Sequence, residues 1–143
     1  MVAAFLINIV LVAIAVVIHY EFLYHLTSKL PLLHIKHRFR ILLGVFGALL
    51  AHAIEVWVFA IAYYLMAKDG RMGGLEGNFD GSIWHCVYFS FTTFTTLGFG
   101  DIQPLGYIRY LTGIESLTGL VLITWTASFL FLEMQRNWKE KKA

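Results

Sequence analysis

The residues best suited to chemistry form a run of ten, from 92 to 101, between two long apolar stretches. The run reads Thr-Thr-Phe-Thr-Thr-Leu-Gly-Phe-Gly-Asp. Gly98 and Gly100 alternate with larger residues, and glycine adopts backbone angles that a Cβ atom resists. This alternation can aim successive carbonyl oxygens at one axis, and the Thr96 hydroxyl can add a further oxygen below them. These residue types therefore indicate a row of oxygen ligands for a cation.

Residues 96 to 100, with Asp101 after them, resemble the selectivity filter of the potassium channel family, whose usual form is Thr-Val-Gly-Tyr-Gly-Asp. The resemblance covers roughly residues 41 to 131 and implies an outer helix, a pore helix, the filter and an inner helix. It also implies a homotetramer, because rings of backbone carbonyls from four loops replace the hydration shell of the transported K⁺. The ion-binding residues that it implies are Thr96, Leu97, Gly98, Phe99 and Gly100, with the first four as direct K⁺ ligands.

The same resemblance assigns roles to residues around the filter. It implies that Thr95 backs the filter and that Asp101 accepts a hydrogen bond from Tyr88, eight positions before the first filter threonine. Leu97 replaces the usual valine, which we expect to be tolerated because its carbonyl carries the function. Phe99 replaces the usual tyrosine and lacks the hydroxyl that ties the filter to the pore helix. A weakly selective cation channel is therefore an alternative to a potassium-selective one.

The composition indicates a membrane protein. Of 143 residues, 59% are hydrophobic and only 14% are charged, which is too apolar for a soluble domain of this length. The net charge of +2 gives no indication of nucleic-acid binding, and the single Cys86 argues against a disulfide framework or a CxxC redox site. We expect lipid as the surroundings, no small-molecule substrate and no cofactor besides the transported ion.

Three stretches are long enough to span a bilayer, which takes roughly 20 mostly apolar residues. They are residues 2–25, 41–67 and 107–132. The first lacks the basic start and the cleavage site of a signal peptide, so we interpret it as a true helix. The predicted fold is all-α, with three transmembrane helices, a re-entrant pore helix and a filter in each subunit. Its predicted divisions are an N-terminal helix with a basic linker (1–40), a pore domain (41–132) and a short basic tail (133–143).

Basic residues predict the orientation. Lys and Arg are concentrated in the 27–40 linker and in the tail, whereas the 68–106 segment carries only two of them beside four acidic residues. By the positive-inside rule, the linker and the C-terminus lie in the cytoplasm, and the N-terminus and the filter loop face outside the plasma membrane. The linker also mixes apolar and basic residues, so we expect residues 29–40 to lie along lipid headgroups.

The segment before the filter is divided into two parts. Residues 68–81 include five glycines and predict a flexible outer turret. Residues 83–95 form an aromatic-rich helix that is too short to span and that Asp80 or Ser82 can cap. It resembles the family's pore helix, whose carboxyl end presents a partial negative charge to a dehydrating cation.

The inner helix carries candidate gate and support residues. Gly119 is interpreted either as a hinge, because glycine weakens a helix, or as a site of close helix packing. Glu115 is an ionisable group at membrane depth, and such groups are usually functional. The favoured interpretation is support behind the filter with bonds from Thr92 or Thr93, and the alternative is a gate that responds to protonation. The residues predicted to line the cavity are Leu120, Ile123, Ala127 and Phe131.

The histidines raise two alternatives to a channel function, a metal site and an enzyme with iron or haem. His52 and Glu55 share one face of the outer helix at i, i+3, and a buried pair that reaches toward Glu115 is favoured over a metal site. Two ligands on one helix are too few for a closed metal shell. His19 is expected at the cytoplasmic end of the first helix. The six histidines form no recognisable iron or haem motif, so an enzyme is not expected. A non-conducting scaffold or subunit of another channel remains a second class of function.

Overall fold

The computed structural model describes residues 2 to 29 and 37 to 140. Its elements, in chain order, are α1 (Val2–Lys29), α2 (His37–Asp69), β1 (Leu75–Gly77), α3 (Ile83–Phe94), β2 (Ile102–Pro104) and α4 (Ile108–Glu140). The helices α1, α2 and α4 are long and apolar enough to cross a membrane. The prediction of a helical membrane protein with three spans is therefore confirmed. The predicted headgroup segment falls mainly on residues 30–36, which lie outside the described residues, as do residues 141–143 of the tail.

The core lies where α2 meets the short helix α3 and the N-terminal half of α4. The aromatic side chains of Phe59, Tyr63 and Phe94 are fully buried there, together with Ile108 and Leu111 of α4. Burial of one large apolar side chain contributes about 1.5–3 kcal/mol, so this cluster fixes α3 against the two long helices. The position of α3 is thereby fixed, and so is the position from which the chain continues after Phe94.

Helix α3 starts at a side-chain cap. Ser82 has an extended backbone and its hydroxyl accepts a hydrogen bond from the His85 amide at 3.3 Å. The Asp80 carboxylate in turn accepts a bond from the Ser82 amide at 2.8 Å. Hydrogen bonding from Ser82 lowers the pKa of Asp80, so the carboxylate stays ionised beside the positive end of the helix dipole. Of the two predicted caps, Ser82 is the N-cap and Asp80 supports it.

The outer segment is not the free turret that its glycines suggested. Strand β1 pairs antiparallel with β2, with Glu76 opposite Gln103. Gly77 has φ +92°, and a Cβ there would overlap the carbonyl oxygen of Asp101. Gly73, with φ +110°, is likewise pressed against the carbonyl of Leu105. Gly73 and Gly77 permit close backbone approach, so the prediction of a flexible turret is wrong for the part of the segment that packs on residues 101–106. The sheet ties the segment before α3 to the segment after the predicted filter.

Candidate functional site

The predicted ion-binding segment has an alternating backbone. Thr96, Gly98 and Gly100 have positive φ values of 60°, 50° and 78°, whereas Leu97 and Phe99 between them do not. Alternation between left-handed and right-handed angles turns successive carbonyls toward one side of a strand. Glycine adopts a positive φ freely, but a β-branched residue such as threonine does so only at a cost. The positive φ of Thr96 was not predicted, because nothing in its residue type indicates it.

Hydrogen bonds to α3 hold this backbone. The amide of Thr96 donates to the carbonyl of Thr93 at 2.9 Å, and the amide of Gly98 donates to the carbonyl of Thr92 at 3.0 Å. Residues in such strained conformations persist only where the surroundings determine them, and they cluster at functional sites. Thr95 caps the end of α3, and its hydroxyl donates to the carbonyl of Phe91 at 2.7 Å. The end of α3 therefore supplies the template for the segment that follows it.

A side-chain hydrogen bond holds the C-terminal end of the segment. The Tyr88 hydroxyl donates to the Asp101 carboxylate at 2.9 Å, so the contact implied by the eight-residue offset is present. Hydrogen bonding to the carboxylate is possible because β2 begins directly after Asp101 and fixes its backbone. The ring of Phe99 stacks on the Tyr88 ring, with centroids 6.5 Å apart and planes 4° apart. Phe99 is thus packed against the same tyrosine by its ring, in place of the missing hydroxyl bond.

Glu115 lies behind α3 and is completely buried. One carboxyl oxygen accepts a hydrogen bond from the Ser90 hydroxyl at 2.5 Å. The other oxygen accepts one from the Tyr63 hydroxyl, also at 2.5 Å. Ser90 also lies 2.9 Å from the carbonyl of Val56. The expected partners Thr92 and Thr93 were wrong in detail, because Thr92 bonds the carbonyl of Phe89 instead. The carboxyl group joins α2, α3 and α4 at one point.

Gly119 gives α4 its closest approach to α3. A Cβ at this position would overlap the carbonyl oxygen of Phe94 and would lie 2.9 Å from the Phe94 ring. This is the packing role named as one of the two interpretations, and the hinge stays a prediction. The four predicted cavity residues of α4 are all exposed in the single chain. They are Leu120, Ile123, Ala127 and Phe131.

Residues of three helices form a polar cluster in the inner half of the bundle. His19 Nδ1 lies 2.9 Å from one Glu55 oxygen, and His52 Nδ1 lies 2.9 Å from the other. The Thr126 hydroxyl lies 3.0 Å from His52 Nε2 and 3.4 Å from His19 Nε2. The predicted His52–Glu55 pair is present, but its third member is His19 of α1, and among the described residues no hydrogen bond joins the cluster to Glu115. Helix spacing could not reveal His19, because 36 residues separate it from Glu55.

Comparison with known proteins decides the family. A family model described as "Ion channel" matches residues 51–136, which is more than half of the chain. The chain belongs to this ion channel family. The matched range includes α3, the strained segment and Glu115, so the family match covers the site described above. With its three apolar helices, this ion channel is a multi-pass membrane protein.

The ion channel is also similar to one curated protein, the potassium channel protein kcv of Paramecium bursaria Chlorella virus 1. The two are 38% identical over 56 residues, which is 34% of this chain and 60% of the viral protein. The similarity therefore covers less than two thirds of the relative's own length. No solved structure matches the chain significantly.

Proposed function

We propose that the chain assembles as a homotetramer and passes K⁺ passively through a central pore lined by residues 96 to 100. The observation that carries this proposal is the alternation of positive φ at Thr96, Gly98 and Gly100. An alternation of this kind suits a row of carbonyls that replaces the hydration shell of K⁺. The likeness to a viral protein named a potassium channel supports the choice of ion.

The exposed apolar surface supports assembly. Leu97 and Phe99 are 59% and 65% exposed in the single chain, and Leu120 and Phe131 of α4 are 51% and 55% exposed. Irregular backbone at membrane depth is tolerated only where protein or a water-filled path surrounds it. Four copies around an axis would cover the back of residues 96 to 100 and leave their carbonyls facing the path of the ion. In this arrangement the exposed side of α4 lines the cavity below.

The proposed organisation keeps the divisions expected from the sequence. Residues 41–132 form the pore module, residues 1–40 precede it with one additional helix and the basic linker, and residues 133–143 form a basic tail. The linker and tail lie in the cytoplasm and the filter faces outside the plasma membrane, because Lys and Arg are concentrated on one side. The channel acts without catalysis, and in this proposal the conduction step involves the transported ion alone.

Reconstitution tests the proposal. The purified chain in lipid vesicles should carry K⁺ flux, and Gly98→Ala should abolish it because an added Cβ opposes a φ of +50°. Gly74→Ala is the matched control, since this glycine has no neighbour within 4 Å and no positive φ. Absence of flux from folded wild-type tetramers would favour a scaffold. Equal Na⁺ and K⁺ flux would favour a weakly selective cation channel.

A further inference from the structure

The cluster of His19, His52 and Glu55 has the composition of a metal site. One ligating atom from each residue lies within 4.8 Å of the other two. Two imidazoles with one carboxylate form a common ligand set for zinc, and imidazole also suits neighbouring transition metals. We propose that these three side chains bind one zinc-class divalent metal ion per chain and thereby join α1 to the pore module. The inference does not depend on which ion the channel conducts.

The distances are close to those that a metal needs. Zinc ligands lie about 2.0–2.2 Å from the ion, so tetrahedral ligands are about 3.3 Å apart. Each imidazole Nδ1 is already 2.9 Å from a carboxyl oxygen of Glu55. Ligation therefore requires a small outward shift of each ring from the carboxylate. Glu55 and His19 are almost fully buried, whereas the His52 side chain is 16% exposed and offers the route of entry.

Thr126 orients both imidazoles in the way a metal requires. A neutral imidazole has one N–H and one bare nitrogen, and a hydroxyl has one hydrogen and two lone pairs. With metal on both Nδ1 atoms, both Nε2 atoms carry hydrogen and both can donate to Thr126 Oγ1. Protein groups that hold the second nitrogen of a metal-bound histidine are a regular part of such sites.

Without the metal, one imidazole nitrogen of the cluster lacks a hydrogen-bond donor. If both Nδ1 atoms donate to Glu55, the single Thr126 hydrogen reaches only one of the two bare Nε2 atoms. The carboxylate also keeps an uncompensated negative charge at a position where charge is costly. A divalent metal supplies the missing partner and changes the net charge of the three ligands from −1 to +1. One additional shared proton would supply the partner and neutralise the carboxylate, and this is the competing account that the experiment must separate.

Helix α1 supplies a matched control. His25 lies on the same helix, but its side chain is 56% exposed and its nearest acidic group is Glu21 at 3.8 Å. The chelator-treated protein in detergent is mixed with Zn²⁺, desalted, and analysed for metal per chain. We expect about one Zn²⁺ in wild type and in His25→Gln, and almost none in His19→Gln and Glu55→Gln. Thr126→Val should bind Zn²⁺ about 10- to 100-fold more weakly, because the imidazoles lose their orienting oxygen.

A second measurement needs only the wild type, in case a variant fails to fold. Added Co²⁺ should give the intense visible absorption of a four- or five-coordinate site, and one equivalent of Zn²⁺ should displace it. Retention of no Zn²⁺ by folded wild type, together with the weak spectrum of Co²⁺ in buffer, would overturn the proposal in favour of a proton-only cluster. Full Zn²⁺ retention by both His19→Gln and Glu55→Gln would overturn it as well.

Discussion

Replacement of Glu115 by leucine tests whether the carboxyl group holds the bundle together behind α3. The change removes the acceptor of the Tyr63 and Ser90 hydroxyls, each 2.5 Å away. Each such bond contributes roughly 1–3 kcal/mol, depending on the charge of the carboxyl group. The two bonds together contribute about 2–6 kcal/mol. This is an upper limit for the loss of stability, because the variant recovers part of this free energy.

The net loss of stability in Glu115→Leu is smaller than this total, because both hydroxyls have another hydrogen-bond acceptor nearby and because a buried carboxyl group is removed. Ser90 still has the carbonyl of Val56 at 2.9 Å, and Tyr63 has the Thr112 hydroxyl at 3.4 Å. Leucine also removes the cost of burying a carboxyl group. We therefore expect Glu115→Leu to lower the free energy of unfolding by about 2–3 kcal/mol per chain. Glu115→Gln keeps an acceptor for one hydroxyl and a donor for the other, so we expect a loss of about 1 kcal/mol.

The assay is denaturant unfolding of the protein in detergent, combined with ion flux in vesicles at several pH values. Glu133→Leu is the control on the same helix, because Glu133 pairs with the half-exposed Arg136 at 3.4 Å, and loss of such a pair should cost less than about 1 kcal/mol. A Glu115→Leu protein as stable and active as wild type would refute the support role. A pH-dependent wild type with a pH-independent Glu115→Gln variant would instead establish the protonation gate.

Two further predictions concern contacts around the filter. Tyr88→Phe removes the 2.9 Å bond to Asp101, so single-channel recordings should show more frequent closures of the proposed filter; unchanged open times would contradict this. Gly119→Ala places a Cβ against the carbonyl of Phe94 and should cost about 1–3 kcal/mol of unfolding free energy. Gly113→Ala is the control, because a Cβ at Gly113 has no neighbour within 4 Å, and it should not lower the free energy of unfolding. Equal stability of the two variants would show that α4 is not tightly packed on α3 at Gly119.

Local patterns were sufficient for the elements and for much of the site. The apolar lengths predicted three membrane helices, and Ser82 predicted the start of α3. Alternation of glycine predicted the positive φ of Gly98 and Gly100, since glycine adopts φ values of +50° and +78° without strain, but it did not predict that of Thr96. The implied Tyr88–Asp101 contact also depends on a short separation along the chain. Each of these features is determined by residues that are near each other in sequence.

Contacts between distant segments could not be predicted. His19 reaches Glu55 only because α1 packs on α2, and the two residues are 36 positions apart. Ser90 and Glu115 meet because Gly119 allows α4 to approach α3 closely. The pairing of β1 with β2 likewise depends on the packing of α3, because α3 lies between the two strands in the sequence. In each case the residue type showed that a polar or flexible group was present, but the packing of helices determined its partner.

The most direct test of the proposed function is the reversal potential of the reconstituted wild-type channel with K⁺ on one side of the membrane and Na⁺ on the other. Each tenfold preference for K⁺ shifts this potential by about 60 mV, because 100 mV acts on one charge with about 2.3 kcal/mol and a tenfold ratio is about 1.4 kcal/mol. We expect a shift beyond about 60 mV toward the potassium equilibrium potential. A reversal potential near zero, in membranes with a clear single-channel current, would contradict a potassium-selective filter at residues 96 to 100.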